Sequence, residues 1–320
     1  MKKTMWSISL IVSFLAIINS LKAQPNTPYS NTDIMKSSRI RIEMLFPGGK
    51  PKALILSFDD GQIADRRLVK LMNEYRLKGT FHLNSAKLGT SGYLKKEEVR
   101  ALYKGHEVSA HTANHPNLTT LSKIDMIYEI VEDRRELERL SGNTVRGMSY
   151  PFGNYNDFVI ETIQGLGIEY ARTVNDTYKF GIPDDFLKWD PTVHQFGKAY
   201  FTPNDPEKDK QELSGFYKLV SDFLKSDNPA LFYVWGHSWE NDGAGDRWNE
   251  MEKFFRLVSN NPEICCITQI ELVDYINAFK NLKFSVEKNL ITNLGSLDVF
   301  LKMNGKVYKI AAGTTLVVPE

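Results

Sequence analysis

Cysteine is nearly absent: there are two in 320 residues, and they are neighbours, Cys265 and Cys266. A fused pair excludes a disulfide scaffold and lacks the ligand spacing of a zinc site. Set in the apolar stretch ICCIT, the two read as small buried hydrophobes. Net charge is nearly absent too, at +1 from 40 basic and 39 acidic residues. That balance gives no bulk electrostatic case for nucleic acid or an anionic membrane. Near the N-terminus the apolar run at residues 8–18 is too short to span a bilayer comfortably. No Gly-x-Gly-x-x-Gly follows the first predicted strand, so a dinucleotide site has no support.

What is present begins with that short apolar run. Lys2 and Lys3 precede it, and Ala23 stands before Gln24. This order is that of an export signal over residues 1–23. Its removal takes away Lys2, Lys3 and Lys22, moving the formal charge from +1 down by three to −2. The mature chain is expected to be secreted, periplasmic or at the cell surface, with no stable membrane insertion. Residues 24–49 read as a leader segment.

From residue 50 the pattern alternates. Short apolar runs at 53–58, 79–84, 106–110, 145–150, 168–173, 230–235 and 263–268 predict strands. Helical periodicity follows each, over 64–77, 95–103, 121–140, 156–166, 211–225, 247–260 and 269–280. On the helix at 121–140 the apolar residues are Ile124, Ile127, Tyr128, Val131 and Leu137. Such alternation implies an α/β fold of parallel βαβ units, either a closed or nearly closed barrel or an open doubly wound sheet. Residues 282–320 change character: β-branched runs flank Asn304–Gly305, a hairpin signal. They are expected to form a small β appendage on a main domain of residues 50–281.

Four polar clusters each follow a predicted strand, on the face where parallel α/β folds build their sites. The first is SFDDG (57–61), where one carboxylate can bind a metal while its neighbour acts as base. The second is GHEVSAHTANH (105–115); on a helical turn His111 and His115, four apart, face the same side and can share one ion. The third, MSYPFGNYN (148–156), is a rigid turn whose backbone N–H groups can face a substrate oxygen. The fourth is FYVWGHSWE (232–240), where His237 lies near Trp235, Trp239 and Trp248 and can act as a general acid. His82 and His106 read as packing or hydrogen-bonding residues. His194 has no comparable context, and nearby Asp190 is the more interesting residue.

These residues resemble the polysaccharide deacetylase (NodB-like) family, carbohydrate esterase family 4, over roughly residues 50–280. SFDDG is similar to that family's Thr-Phe-Asp-Asp-Gly motif, and HTANH to its His-Ser/Thr-x-x-His motif. The resemblance implies a distorted (β/α) barrel. It implies Asp60, His111 and His115 as ligands of a divalent metal, zinc first and cobalt, nickel or manganese as alternatives. It implies Asp59 as the base toward a metal-activated water and His237 as the acid toward the leaving group. The oxyanion would lie near the backbone at Phe152, with Tyr150, Pro151, Trp235 and Trp239 as further substrate contacts. Asp190 is the candidate to orient His237.

Two motifs depart from the family. The third usually reads Arg-Pro-Pro-Tyr-Gly; here it is Ser149-Tyr150-Pro151-Phe152-Gly153, so the arginine that braces the catalytic Asp is missing from its place. Arg146 and Arg172 are the candidates to replace it. The last motif usually reads Leu-x-Leu-His; here it is Val234-Trp235-Gly236-His237. The expected activity is removal of acetyl groups from an N-acetylated glycan. An O-acetyl esterase of the xylan type and a carbohydrate-binding protein without catalysis are the competing readings.

Overall fold

The computed structural model describes residues 40–197, 205–227, 229–243 and 247–319. The export signal and residues 24–39 lie outside the described residues. In chain order the strands are β1 (Ile42–Leu45), β2 (Lys52–Asp60), β3 (Thr80–Leu83), β4 (Glu107–Ala110), β5 (Gly147–Ser149), β6 (Tyr170–Arg172), β7 (Val193–His194), β8 (Ala230–His237), β9 (Ile264–Cys266), β10 (Lys283–Phe284), β11 (Leu290–Thr292), β12 (Val299–Met303), β13 (Lys306–Ile310) and β14 (Thr315–Val317). The helices are α1 (Asp65–Glu74), α2 (Val99–Leu102), α3 (Lys123–Ser141), α4 (Asp157–Gly165), α5 (Pro206–Lys225), α6 (Arg247–Val258) and α7 (Gln269–Lys280). None of the described helices is long and apolar enough to cross a membrane.

β2 is buried at every one of its nine positions, as expected of a strand covered on both faces in a parallel sheet. Its side chains alternate between two cores. Leu54, Leu56 and Phe58 pack outward against the helices. Ala53 and Ile55 face an inner cluster with Tyr170, Trp189, Leu231, Tyr233 and Trp235. The main sheet runs β6-β5-β4-β3-β2-β8-β7, and its pairings are all parallel. β9 joins β2 at Lys52–Leu54, leaving β2 from Ser57 onward to β3. The sheet curls until Arg172 of β6 bridges Trp189, four residues before β7. The fold is therefore a distorted (β/α) barrel, and the expected strands and helices all occur. β7 is the addition: at two residues it carries no periodic signal.

One helix face differs from expectation. On α3 the buried residues are Met126, Glu129, Ile130, Asp133, Leu137 and Leu140. Ile124 and Tyr128 are 80% and 59% exposed. The helix turns two carboxylates inward, which an apolar-stripe reading cannot foresee.

The C-terminal appendage holds two three-stranded sheets, β1-β12-β13 and β10-β11-β14. β12 and β13 form the expected hairpin, with Asn304 (φ 51°) and Gly305 (φ 85°) both left-handed, as a tight primed turn requires. Its third strand, β1, comes from the 24–49 stretch. The Tyr275 hydroxyl on α7 donates to the Leu45 carbonyl at 2.6 Å and accepts from the Phe300 amide at 2.9 Å, fastening the appendage to the barrel.

Candidate metal centre and active site

Asp60 ends β2, His111 follows β4, and His115 lies four residues on. Their ligand atoms converge to within 4.8 Å of one another. The two histidines do not meet on a helical turn, as the spacing suggested. Residues 111–115 form an irregular turn with left-handed backbone at Thr112 and His115, both at φ 64°. Asp60 is left-handed as well, at φ 83°. Each such residue costs about 1–3 kcal/mol and persists only where the surroundings enforce it.

The His111 Nδ1–H donates to the Ser149 carbonyl at 2.9 Å, so Nε2 keeps its lone pair. That atom lies 3.9 Å from Asp60 Oδ1 and 3.7 Å from Asp59 Oδ2. Both gaps are too long for hydrogen bonds, and the one to Asp60 is short enough for a single ion with bonds of about 2.0–2.1 Å to touch both atoms. Burial lowers His111 and takes His115 to about 4, with the neighbouring His111 adding to the second effect. Both imidazoles are therefore neutral, as metal ligands must be. One carboxylate and two neutral imidazoles fit a divalent metal of the zinc type.

Asp59 points to the barrel interior beside this group. Burial raises its carboxyl, but the Arg172 guanidinium, with His111 and further histidines, overcomes that and holds it well below the usual carboxylate range. Arg172 is the last residue of β6, fully buried, and donates to Asp59 Oδ2. Ser149 occupies the place of the missing family arginine. Its hydroxyl donates to Asp59 Oδ1 at 3.1 Å and accepts from His111 Nδ1 at 2.7 Å. Arg146 is corrected: it precedes β5, at the opposite strand end, and its guanidinium forks onto Glu169 and Asp274.

His237 ends β8, in register with Asp59. Its partner is Glu240, not Asp190. Nδ1 lies 2.6 Å from Glu240 Oε1, and His194 Nε2 lies 3.0 Å from the same oxygen. Asp190 instead accepts from the Thr173 hydroxyl and the Asn175 amide, since the chain between Arg172 and Trp189 folds back on β6. The three groups His194, Glu240 and His237 are the second cluster with ligand atoms close enough for a metal. Separations of 2.6–3.0 Å make them hydrogen-bonded neighbours rather than spaced ligands. Burial lowers His237, but Glu240, with Asp60 and Asp59, raises it to about 9. Gln195 Nε2 donates to the His237 carbonyl and to Glu240 Oε2, both at 2.6 Å. A Cβ at Gly236 would sit 2.5 Å from Gln195 Cγ, which accounts for glycine before the histidine. Glu240, Gln195 and His194 escaped sequence reasoning; the His-x-x-Glu spacing, closed here by a 3-10 turn over Ser238–Asp242, is the signal that could have found the first.

Of the aromatic candidates, two stand at the centre. Phe152 is 61% exposed at φ 58°, its ring edge-on to His115 with centroids 4.6 Å apart. Trp239 donates from Nε1 to Asp60 Oδ2 at 3.1 Å and lies 5.0 Å from the His237 ring. Tyr150, Pro151 and Trp235 are buried and are corrected as substrate contacts. The Tyr150 hydroxyl donates to the Leu187 carbonyl, and its ring stacks on Tyr155. Trp235 points into the barrel, beneath the Arg172 guanidinium at 4.4 Å, and donates to Asp176.

Comparison with known proteins gives the same direction. Residues 47–171 match the sequence profile of the polysaccharide deacetylases. The chain is 27% identical over 150 residues to a chitin deacetylase of Pestalotiopsis sp., covering 47% of this chain and 50% of that protein. It is 27% identical over 120 residues to a chitooligosaccharide deacetylase of Sinorhizobium fredii, covering 36% and 54%. The chain thus spans about half the length of these curated relatives. A solved Mycobacterium smegmatis protein assigned to the polysaccharide deacetylases shares the fold: TM-score 0.56 at 16% identity, over 73% of this chain and 93% of that one. Residues 47–171 are thus similar in sequence to the polysaccharide deacetylases, and the barrel shares its fold with that solved protein.

Proposed function

We propose that this protein is a metal-dependent hydrolase that removes acetyl groups from an N-acetylated polysaccharide. One observation carries the reading: the Asp60, His111 and His115 donors converge between Asp59, held ionised, and His237, held protonated. Asp60, His111 and His115 would hold the metal, with zinc best suited to the donor set. When bound, the ion polarises an acyl oxygen and acidifies water.

The chain's own residues do the rest. Asp59, kept as a carboxylate by Arg172 and Ser149, takes a proton from the attacking water. His237, aimed by Glu240, gives a proton to the leaving nitrogen as the acyl C–N bond breaks, yielding acetate and a free amine. The backbone at Phe152 is assigned to the acyl oxygen, and the Phe152 and Trp239 rings to the sugar. Residues 50–281 form the catalytic domain in this reading, residues 282–320 are an extension, and residues 1–23 direct export.

The test is metal content together with acetate release. The purified mature chain is expected to carry about one divalent ion, and chelation to stop acetate release from chitin oligomers, peptidoglycan or poly-N-acetylglucosamine. Asp59→Asn should keep the ion and lose turnover; His115→Ala should lose both. A wild-type chain that binds no metal overturns the reading. Acetate from acetylated xylan alone replaces amide with ester chemistry.

A further inference from the structure

The turn carrying His111 and His115 is tied to one helix. Glu129 and Asp133 stand one turn apart on the inner face of α3, and Asp133 is fully buried. Asp133 Oδ2 accepts the backbone N–H of His111 at 2.9 Å, and its Oδ1 accepts that of Ser85 at 2.8 Å. Glu129 Oε2 accepts the Asn114 N–H at 2.8 Å, and Oε1 accepts the Asn114 side-chain amide at 2.8 Å. The Glu129 carbonyl accepts the Ala113 N–H at 3.0 Å. Three backbone N–H groups of residues 111–114 therefore reach two adjacent helical positions, that of His111 being shared with the Leu83 carbonyl at 3.0 Å. From the other side, Asn84 Nδ2 donates to the carbonyls of His111 and Thr112, at 2.7 and 2.9 Å.

This turn has the backbone that ordinary side chains avoid, at Thr112 and His115. Left alone, it would relax and swing the two imidazoles apart. Carboxylates that accept backbone N–H groups make strong, directional bonds. Two of them on a rigid helix fix where the turn sits relative to β4.

We propose that Asp133 and Glu129 are positioning residues for metal binding: through the backbone of residues 111–114 they hold His111 and His115 converged on Asp60 before any ion arrives. The inference rests on the metal reading above. It also explains why α3 turns two acidic residues inward where its apolar stripe was expected.

The experiment measures zinc affinity of the metal-free chain by competition with a chromophoric chelator, for wild type, Asp133→Asn, Glu129→Ala and His115→Ala. Asp133→Asn and Glu129→Ala are expected to weaken zinc binding about 10–100-fold, the usual cost of losing an outer partner of a metal ligand. His115→Ala should abolish it. Amide hydrogen exchange on the metal-free chain supplies the second readout: the Asn114 amide, held by the Glu129 carboxylate, should be protected in wild type and exchange rapidly in Glu129→Ala. A merely structural role for Asp133 would lower the melting temperature of the metal-free chain and leave zinc affinity unchanged, which overturns the proposal. So does unaltered protection of the Asn114 amide in Glu129→Ala. Wild-type chain that binds no zinc overturns both this inference and the metal reading. Wild-type binding with unimpaired variants overturns this inference alone. If Asp133→Asn fails to fold, Glu129→Ala decides.

Discussion

Glu240 holds His237 from three residues along the chain, Nδ1 to Oε1 at 2.6 Å. The pair has a pH signature. His237 is raised to about 9 from an ordinary 6.5, so the folded chain binds this proton more tightly than the unfolded chain does. Its stabilisation is complete below pH 6.5 and is lost as pH climbs through about 9. Glu240 is lowered by His194 and His237 against the effect of burial, so the same contact also weakens in acid. Urea unfolding of the metal-free chain should show a loss of about 1–3 kcal/mol between pH 6.5 and 9. Glu240→Gln should flatten that slope; an unchanged slope would remove Glu240 from the account.

Arg172 and Asp59 form a fully desolvated ion pair. Removing one partner of such a pair strands the other charge, at a cost of about 3–5 kcal/mol. Arg172→Met is therefore expected to destabilise strongly and to stop acetate release. Adding Asp59→Asn to it should restore part of the stability, because a neutral amide needs no counter-ion. Denaturant curves for both single variants and the double variant measure this. Strict additivity would mean that the two side chains are not coupled.

The barrel was legible because each βα unit repeats one physical pattern, a buried run followed by an amphipathic helix. The candidate metal cluster was legible because two motifs carry its residues at strand ends. The supports were not. Arg146 and Arg172 look alike in sequence; only the strand boundaries place Arg172 at the end of β6 and Arg146 ahead of β5. Glu240 reaches His237 through a short 3-10 turn that has no periodic signal. Trp235 resembled a sugar platform, but strand alternation sends it inside the barrel, under Arg172. On α3 two carboxylates face inward while the apolar Ile124 and Tyr128 lie exposed, an arrangement that apolar periodicity does not reveal.

Phe152 combines an exposed ring with a left-handed backbone. Phe152→Gly relieves the backbone and loses little core packing. Stability is expected to stay level or rise by up to about 1 kcal/mol. The KM for an oligomeric glycan is expected to rise several-fold through loss of the ring. Calorimetry and steady-state kinetics separate the two effects. A clear fall in melting temperature would show the ring to be structural.

Tyr275 ties the β1-β12-β13 sheet to α7 through its hydroxyl. Tyr275→Phe strands a buried carbonyl and an amide, and should cost about 1–3 kcal/mol. Metal content should be unaffected. Loss of bound metal in this variant would join the appendage to the site.

β2 takes β8 along nearly its whole length, from Lys52 to Asp59, a partner that lies far along the chain. The stretch that matches the family, residues 47–171, ends at β6. It carries Asp59 and all three residues of the candidate metal cluster, yet in isolation it would expose the edge of its most apolar strand. An open edge of that kind templates aggregation, and pairing over so long a separation is slow. A nascent chain must therefore keep this edge sheltered until β8 emerges. The order of synthesis, more than the strength of any contact at the centre, sets when the site can first exist.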